Sequence, residues 1–460
     1  MQQSVHVSVA VAVASLLVAC GEVGKVPASD GNTGDDGPPP LPVTVTVLTT
    51  LGNGAPDPTA KVLFQDPDGA VVSDVMVDAT GHAQAMLPRG GSVSAIRITS
   101  DATNLTASIT TTLGVKPGDD LTFGLKASAA NLTQGGVTTM TAMFPPVTGA
   151  TLYRFFTSCG QSGTSTTSPV TLSFHDSCHG AMFDVLGTTT VGGVPQYLHV
   201  TNVTYANGAT TNLATVFNPM PNFTVNMMNV PDPVSLMSVS RTTLLNNTPT
   251  ISTSGNAFDP PVGNVSTTVL FPQGVGTRSE LSITMSRDDA MINQKHEVHT
   301  ATLGTSASVD IGQQKLPWFT NLAQTATGAT WTMVVPGDPP DGMMVNWSGS
   351  WNDGTRPVSV SWLITQSAQM AGVTLPKLPA AYTMIDPGQQ TVTVKPTSVT
   401  LGMADYDNLA SYDQFRQMPE TLLISSNGVN PFAVTPIGVM GAFVGMPFQR
   451  RIMIATVNAP

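Results

Sequence analysis

The sequence predicts an all-β protein: tandem antiparallel β-sandwich modules with a larger C-terminal β domain. Short segments of alternating apolar and polar residues recur roughly every eight to twelve positions, with Gly, Pro, Asn or Asp between them. Long stretches of period 3.6 are nearly absent. Hydrophobic residues make up 41% of the chain, ample for real cores, whereas charged residues make up only 10%, against about a quarter in ordinary soluble proteins. Ser, Thr, Asn and Gly carry the surface instead, a balance common in exported β proteins. The net charge of −11 comes with only 18 Lys plus Arg, and no basic cluster offers a bed for a phosphate backbone, so nucleic acid is not an expected partner.

The chain opens on an apolar and small-residue stretch, Val7 to Ala19, too short to span a bilayer and right for the core of a signal peptide. It ends Leu17-Val18-Ala19-Cys20, which resembles the lipobox of bacterial lipoproteins, where the cysteine is acylated and becomes the first residue after cleavage. The resemblance implies a signal peptide at 1–19, lipid on Cys20 and a membrane as partner through that lipid. Neither Gly21 nor Glu22 is the aspartate that retains enteric lipoproteins at the inner membrane, so it further implies the outer membrane, facing the periplasm or the surface. Residues 20–42, with Asp30-Gly-Asn-Thr-Gly-Asp-Asp-Gly-Pro-Pro-Pro40, are too rich in Gly, Pro and Asp to bury a core and read as a disordered tether. Fully extended, it would reach roughly 70 Å.

About 420 residues after the leader and tether allow two to four domains. The first module, 43–125, begins with Val43-Thr-Val-Thr-Val-Leu48, whose valines share one face. Lys61-Val-Leu-Phe64 then meets a turn at Asp66-Pro-Asp-Gly69, and a second turn falls at Asp78-Ala-Thr-Gly81; Pro second and Gly fourth suit a type I turn. With Leu87-Pro-Arg-Gly-Gly91 following, these residues resemble the carboxypeptidase regulatory-like family, whose members are small transthyretin-like and Ig-like sandwiches. That resemblance implies a non-catalytic spacer or binding unit over about 80 residues.

The second module, 126–233, holds strand-like segments such as Val137 to Met143, Thr151 to Thr157 and Tyr197 to Val203, and ends at Pro231-Asp-Pro233, where two prolines forbid continuous pairing. Residues 234–460 are again strand-like and form one large or two smaller domains. One short helical candidate spans Tyr406 to Arg416, where Leu409, Tyr412 and Phe415 share a face. The layout, through Leu375-Pro-Lys-Leu-Pro379 and Tyr412-Asp-Gln-Phe-Arg416, is similar to that of bacterial surface lipoproteins.

In an oxidising compartment Cys159 and Cys178 are expected to pair. The bond would close a loop of roughly 20 residues and add about 3 kcal/mol. His175-Asp-Ser-Cys-His179 carries residue types that suit a soft metal or a nucleophile, but a Cys178 disulfide removes the thiolate. His296-Glu-Val-His299 has its histidines three apart, not the four that a metalloprotease helix needs; Leu281 to Met285, a polar turn and Lys295 to Leu303 read as a hairpin, with the two histidines on opposite faces of a solvated strand end. Aspartates 66, 68, 74 and 78 lack calcium-loop spacing and read as turn formers. No Gly-x-Ser-x-Gly elbow, phosphate-binding loop or dinucleotide fingerprint is present. Neither a metal nor a cofactor is expected.

All five tryptophans, Trp318, Trp331, Trp347, Trp351 and Trp362, fall in one C-terminal stretch. Trp331, Trp347 and Trp362 alternate with Val, Met and Ile, the pattern of a core face. Trp351, set between Ser348-Gly-Ser350 and Asn352-Asp-Gly354, is the best candidate to stand exposed and stack on a sugar, with Trp347 beside it. Two readings result. In the first, the protein is a non-catalytic, lipid-anchored envelope protein with a structural, adhesive or ligand-binding role, meeting cell-surface glycans or envelope proteins. In the alternative, it binds or processes carbohydrate through the Trp-bearing domain.

Overall fold

The computed structural model describes residues 41–49, 55–124, 136–175, 179–231, 234–245, 248–258, 262–276, 278–287, 292–300, 304–312, 316–335, 337–368, 371–407, 409–418 and 448–458. Strands dominate them, as the alternating pattern predicts. The first stretch supplies β1 (Val43–Val47), β2 (Lys61–Gln65), β3 (Val71–Met76), β4 (His82–Ala85), β5 (Gly91–Ser100), β6 (Leu105–Val115) and β7 (Asp120–Phe123). The second supplies β8 (Val137–Met143), β9 (Tyr153–Thr157), β10 (Gly160–Ser165), β11 (Val170–His175), β12 (Met182–Val191), β13 (Val194–Thr204), β14 (Thr210–Asn212) and β15 (Asn218–Pro219).

Then follow β16 (Asn222–Val230), β17 (Leu236–Leu245), β18 (Thr248–Phe258), β19 (Gly263–Leu270), β20 (Arg278–Arg287), β21 (Ile292–Thr300) and β22 (Ser306–Asp310). The last stretch holds β23 (Trp318–Thr325), β24 (Gly328–Val335), β25 (Gly342–Asn352), β26 (Pro357–Gln366), β27 (Gly372–Thr374), β28 (Lys395–Tyr406) and β29 (Phe448–Asn458). One helical turn, α1 (Tyr412–Phe415), is shorter than the segment the sequence suggests, because Tyr406 still belongs to β28. Its expected face is kept: Phe415 is buried, and Leu409 and Tyr412 pack beside it.

The organising feature is a sheet of 12 strands in the order β18-β17-β20-β21-β29-β28-β25-β26-β6-β5-β2-β3. Every neighbouring pair is antiparallel except β26 and β6, which run parallel with Val358 opposite Leu105 and Thr365 opposite Thr112. This seam joins a strand near the start of the chain to one some 250 positions later. The sheet therefore crosses from the first module directly into the C-terminal region. The second module forms a sandwich of β10-β9-β12-β13-β15 on β11-β8-β14, closed over Tyr153, Phe155, Leu172, Phe174 and their neighbours, and Leu186 of β12 packs with Leu245 and Val275 of the C-terminal region. Membership passes to the C-terminal sheets already at β16, before Pro231, since β16 pairs with β19 and β22.

Alternation decides which side chains face which layer. In β2, Val62 and Phe64 enter the core shared with β4-β1-β7, where Val43, Val45 and Val47 lie on one face as expected. Leu63 points the other way, into the large core. Burial on both faces explains the unbroken apolar run Val-Leu-Phe at this strand. The large core lies between the long sheet and two three-stranded sheets, β19-β16-β22 and β23-β24-β27. Within it the Arg241 guanidinium sits 4.1 Å from the Phe223 ring centroid and 3.9 Å from that of Phe271, and burial lowers its pKa to about 10.

Both sequence-marked turns are built by their aspartates. The Asp66 carboxylate accepts from the N–H groups of Asp68 and Ala70 at 3.0 and 2.9 Å. Asp78 accepts from the Thr80 and His82 N–H groups at 2.8 and 2.9 Å. Gly81, at φ +80, lies against the Val47 carbonyl and Pro56, leaving no room for a Cβ. Turn formation is what these aspartates do; Asp74 instead accepts from the Tyr382 hydroxyl at 2.8 Å.

Candidate functional site

Three of the segments picked out in the sequence converge with the end of β6 at one end of the first module. The Asp66–Gly69 turn, the Leu87–Gly91 turn, the end of β6 and the Pro376-Lys377 pair surround a cavity of about 510 Å³, within the usual range of small-molecule sites. Its position follows from the seam, because pairing of β26 with β6 carries the chain after β27 back across β2. Gln65, the last residue of β2, lies in its wall with 1% exposure. The Gln65 Nε2 donates to the carbonyls of Gly69 and Lys377 at 3.0 and 2.9 Å. Those two bonds fix which end of the amide is nitrogen, and Oε1 is left without a partner among the described residues.

Three cations line the cavity, Arg89, Lys116 and Lys377, with one carboxylate, Asp66. Arg89 bridges Asp66 at 2.5 Å and Asp68 at 2.9 Å, with 62% of its side chain exposed. The Ala70 and Asp68 N–H groups together with the Arg89 charge hold the Asp66 carboxyl below its ordinary pKa. Lys116 pairs with Asp413, and Asp413 also pairs with Arg416. Arg416 forms a bidentate pair with Asp119, Nε to Oδ2 at 2.7 Å and Nη2 to Oδ1 at 2.9 Å. The Tyr412 hydroxyl donates to the Leu113 carbonyl at 2.7 Å, and burial pushes its phenol pKa up. The helical turn is thereby clamped onto the β6–β7 loop beside the cavity.

A second charged group lies behind β25 and β28. Arg451 pairs with Asp405 and, at 3.2 Å, with Asp407, while the Tyr406 N–H donates to Asp341 at 2.8 Å. Burial, reinforced by the charges of Asp405 and Asp407, pushes the Asp341 carboxyl up to about 6. A folded-state pKa above the unfolded one means that the native chain keeps a proton the unfolded chain has lost. Stability therefore falls as pH rises from about 4 to about 6, and the penalty is complete above that window. Asp341→Asn keeps an acceptor for Tyr406 and removes the charge. It is expected to stabilise the protein at pH 7.5 by on the order of 1 kcal/mol, allowing for solvent screening of a half-exposed group, and to change little near pH 4. Urea denaturation at the two pH values checks this; an equal effect at both would refute it.

The residues singled out in the sequence are distributed differently. Trp351 is 5% exposed and Trp347 fully buried, so neither presents a ring to a ligand, and the expectation of a Trp platform is corrected. Trp347 faces Trp362 across the β25–β26 pair, and its Nε1 donates to the Thr325 carbonyl at 3.0 Å. Trp351 pairs with Val358 and enters the same core: its parity within β25 matches Trp347, four residues away, and outweighs the flexible flanks. Trp318, Trp331 and Trp362 are buried there too.

His296 is buried, not a solvated strand end, because β21 has a neighbour on each side, Ile283 of β20 and Arg451 of β29. The hairpin of β20 and β21 is present, with Ile283 opposite His296. Among the described residues no group of three His, Cys, Asp or Glu is arranged to hold a metal, and no helix is long and apolar enough to cross a membrane.

Cys159 lies in the turn between β9 and β10, its N–H donating to Thr157 Oγ1 at 3.1 Å. Cys178 and Cys20, and with Cys20 the leader and tether, lie outside the described residues. His179, next to Cys178, stacks on Tyr205 at 3.8 Å. Sequence reasoning passed over Gln65, Lys116 and Lys377. Of these only Lys377 lies in a segment that the sequence marks, Leu375-Pro-Lys-Leu-Pro379, and nothing local indicated that the three meet.

No family model matches the chain, and no curated protein matches it. Among solved structures it is similar to the Bacillus anthracis TIE protein, at 9% identity over 59% of this chain with a TM-score of 0.14; that match spans half of the TIE protein. It is also similar to two B repeat units of the collagen-binding protein of Staphylococcus aureus, at 11% identity over 80% of this chain and 95% of that one, with a TM-score of 0.12.

Proposed function

We propose that this chain is a non-catalytic, lipid-anchored protein of the bacterial cell envelope, held at the outer membrane through Cys20 and presenting its β modules for a structural, adhesive or ligand-binding role. The observation that carries the proposal is the sequence Leu17-Val18-Ala19-Cys20 at the end of an apolar leader, followed by a Gly, Pro and Asp-rich tether. The reading is supported by the way the conspicuous side chains are used. The tryptophans fill the core, the turn aspartates cap their own loops, and the buried Arg416–Asp119 ion pair fastens one segment to another. The same reading takes Cys159 and Cys178 as a disulfide suited to an oxidising compartment.

Fractionation tests the anchor. Wild-type protein is expected in the membrane fraction, carrying radiolabel from palmitate, whereas Cys20→Ala is expected unlabelled and outside that fraction. Equal labelling and equal fractionation of the two would refute the anchor.

A further inference from the structure

We propose that the outer edge of β3 docks an extended, cationic segment of another protein, which adds a strand to the long sheet. β3 ends the 12-strand order, and β2 is its one neighbouring strand among the described residues. Edge strands are ordinarily blunted by lysine, proline, a bulge or a covering segment, because their outward N–H and C=O groups template further pairing. Val71–Met76 contains neither lysine nor proline. Its bulge lies at the first residues, and Ser73 to Met76 pair regularly with Phe64 to Lys61. Val71, Val72 and Met76 are 46%, 47% and 50% exposed, so the edge is apolar as well as open.

The side chains along the strand select the partner. Val75 and Val77 turn inward to the core of the first module, so alternation sends Val72, Asp74, Met76 and Asp78 to the other side. Asp74 and Asp78 are exposed, and the Tyr382 hydroxyl holds the Asp74 carboxylate in place. Of the two cations in this stretch, Arg89 is held by Asp66 and Asp68, and Lys61 lies over the Tyr382 ring at 5.5 Å. Asp74 and Asp78 are thus left without an ion pair among the described residues. An incoming strand meets apolar and acidic side chains in turn, and an antiparallel segment with valine opposite Val72 and Met76 and lysine opposite Asp74 and Asp78 answers both. A second copy of this chain, at net charge −11, would bring an edge of the same sign.

The docking edge rests on the adhesive part of the function proposed above and does not involve the lipid, so it stands or falls separately from the Cys20 result. Fluorescence polarisation with the purified full-length chain tests it. The labelled probe is a synthetic peptide, Lys-Thr-Val-Thr-Lys-Thr-Val-Thr-Lys; the controls are its counterpart with glutamate for every lysine and the lysine peptide N-methylated at every backbone amide. The lysine peptide is expected to bind at least about tenfold more tightly than either control, and more weakly as salt rises. It is also expected to slow amide exchange in β3 and not in β18, the opposite edge of the sheet. Met76→Lys, at a half-exposed position, is expected to weaken the lysine peptide about tenfold and to leave the unfolding midpoint unchanged. Asp74→Asn keeps an acceptor for Tyr382, and is expected to weaken that peptide about threefold and flatten the salt dependence. Absence of binding, equal binding of either control, or an unchanged affinity in either variant would overturn the proposal. So would sedimentation as a dimer that Met76→Lys dissociates, which would assign the edge to a second copy.

Discussion

Arg416→Ala is expected to lower the unfolding free energy by about 3–5 kcal/mol, because it leaves the Asp119 carboxylate buried without its counter-charge. The side chains of Arg416 and Asp119 are 1% and 6% exposed. Two parallel N–H to O bonds join them, and Gln417 Nε2 adds a third to Asp119 at 3.0 Å. Asp119 also accepts from the Lys116 N–H at 2.7 Å, which shapes the β6–β7 turn, so truncating Asp119 would remove turn and clamp together. Arg416→Ala is the cleaner probe, since it spares the turn. The double change Arg416→Met with Asp119→Leu removes both charges, and is expected to recover most of the clamp's share of the loss, because a buried pair contributes little beyond an apolar contact of similar volume. Urea denaturation followed by tryptophan fluorescence provides the measurement. A loss under about 1 kcal/mol for Arg416→Ala would show that water reaches Asp119 and that the clamp is an ordinary surface pair.

Trp362→Ala is expected to cost a further class of about 3–5 kcal/mol, by leaving a cavity where β26 meets β6. Trp362 is fully buried, faces Trp347 across β25 and reaches over the parallel seam, where its Nε1 donates to Thr111 Oγ1 at 2.9 Å. Thr111 is itself fully buried and shares a 2.7 Å bond with Ser94 of β5, so one indole connects three strands of the 12-stranded sheet. Trp362→Phe keeps most of the apolar volume and loses the donor, and should cost roughly a third to a half as much. If Ala and Phe cost the same, the hydrogen bond rather than the volume would be holding the seam. Amide exchange in β6 offers a second readout, since loosening at the seam would expose β6 before β9 or β12.

Much of this architecture was legible locally. Period-two alternation identified the strand class and predicted correctly that the tryptophans lie in a core; only Trp351 and its neighbour Trp347 were offered as a ligand platform, and both obey the alternation instead of the flexible flanks. Asp66-Pro-Asp-Gly69 and Asp78-Ala-Thr-Gly81 announced their turns because an aspartate capping its own loop involves residues within four positions of one another. The β20–β21 hairpin was readable for a similar reason, its strands being neighbours in sequence.

What determines a strand's face is its own pleat, and that is written in the residues one and two positions away. What determines its partner is the match of whole edges, and the candidates lie hundreds of positions apart. Nothing in Leu105–Val115 marks β26 as its neighbour, and the run Thr110-Thr111-Thr112 suggests a strand facing water. The fold buries all three threonines and satisfies Thr111 through Ser94 and Trp362. His296 became a core residue for the same reason, through β29 on its far side. The sequence by itself determined the class of the fold, its turns and the inward faces of its strands. Only the tertiary structure decided the parallel seam, the Arg416–Asp119 clamp and the cavity beside it, because each depends on contacts whose partners the chain brings together only after the long sheet has closed up across the modules.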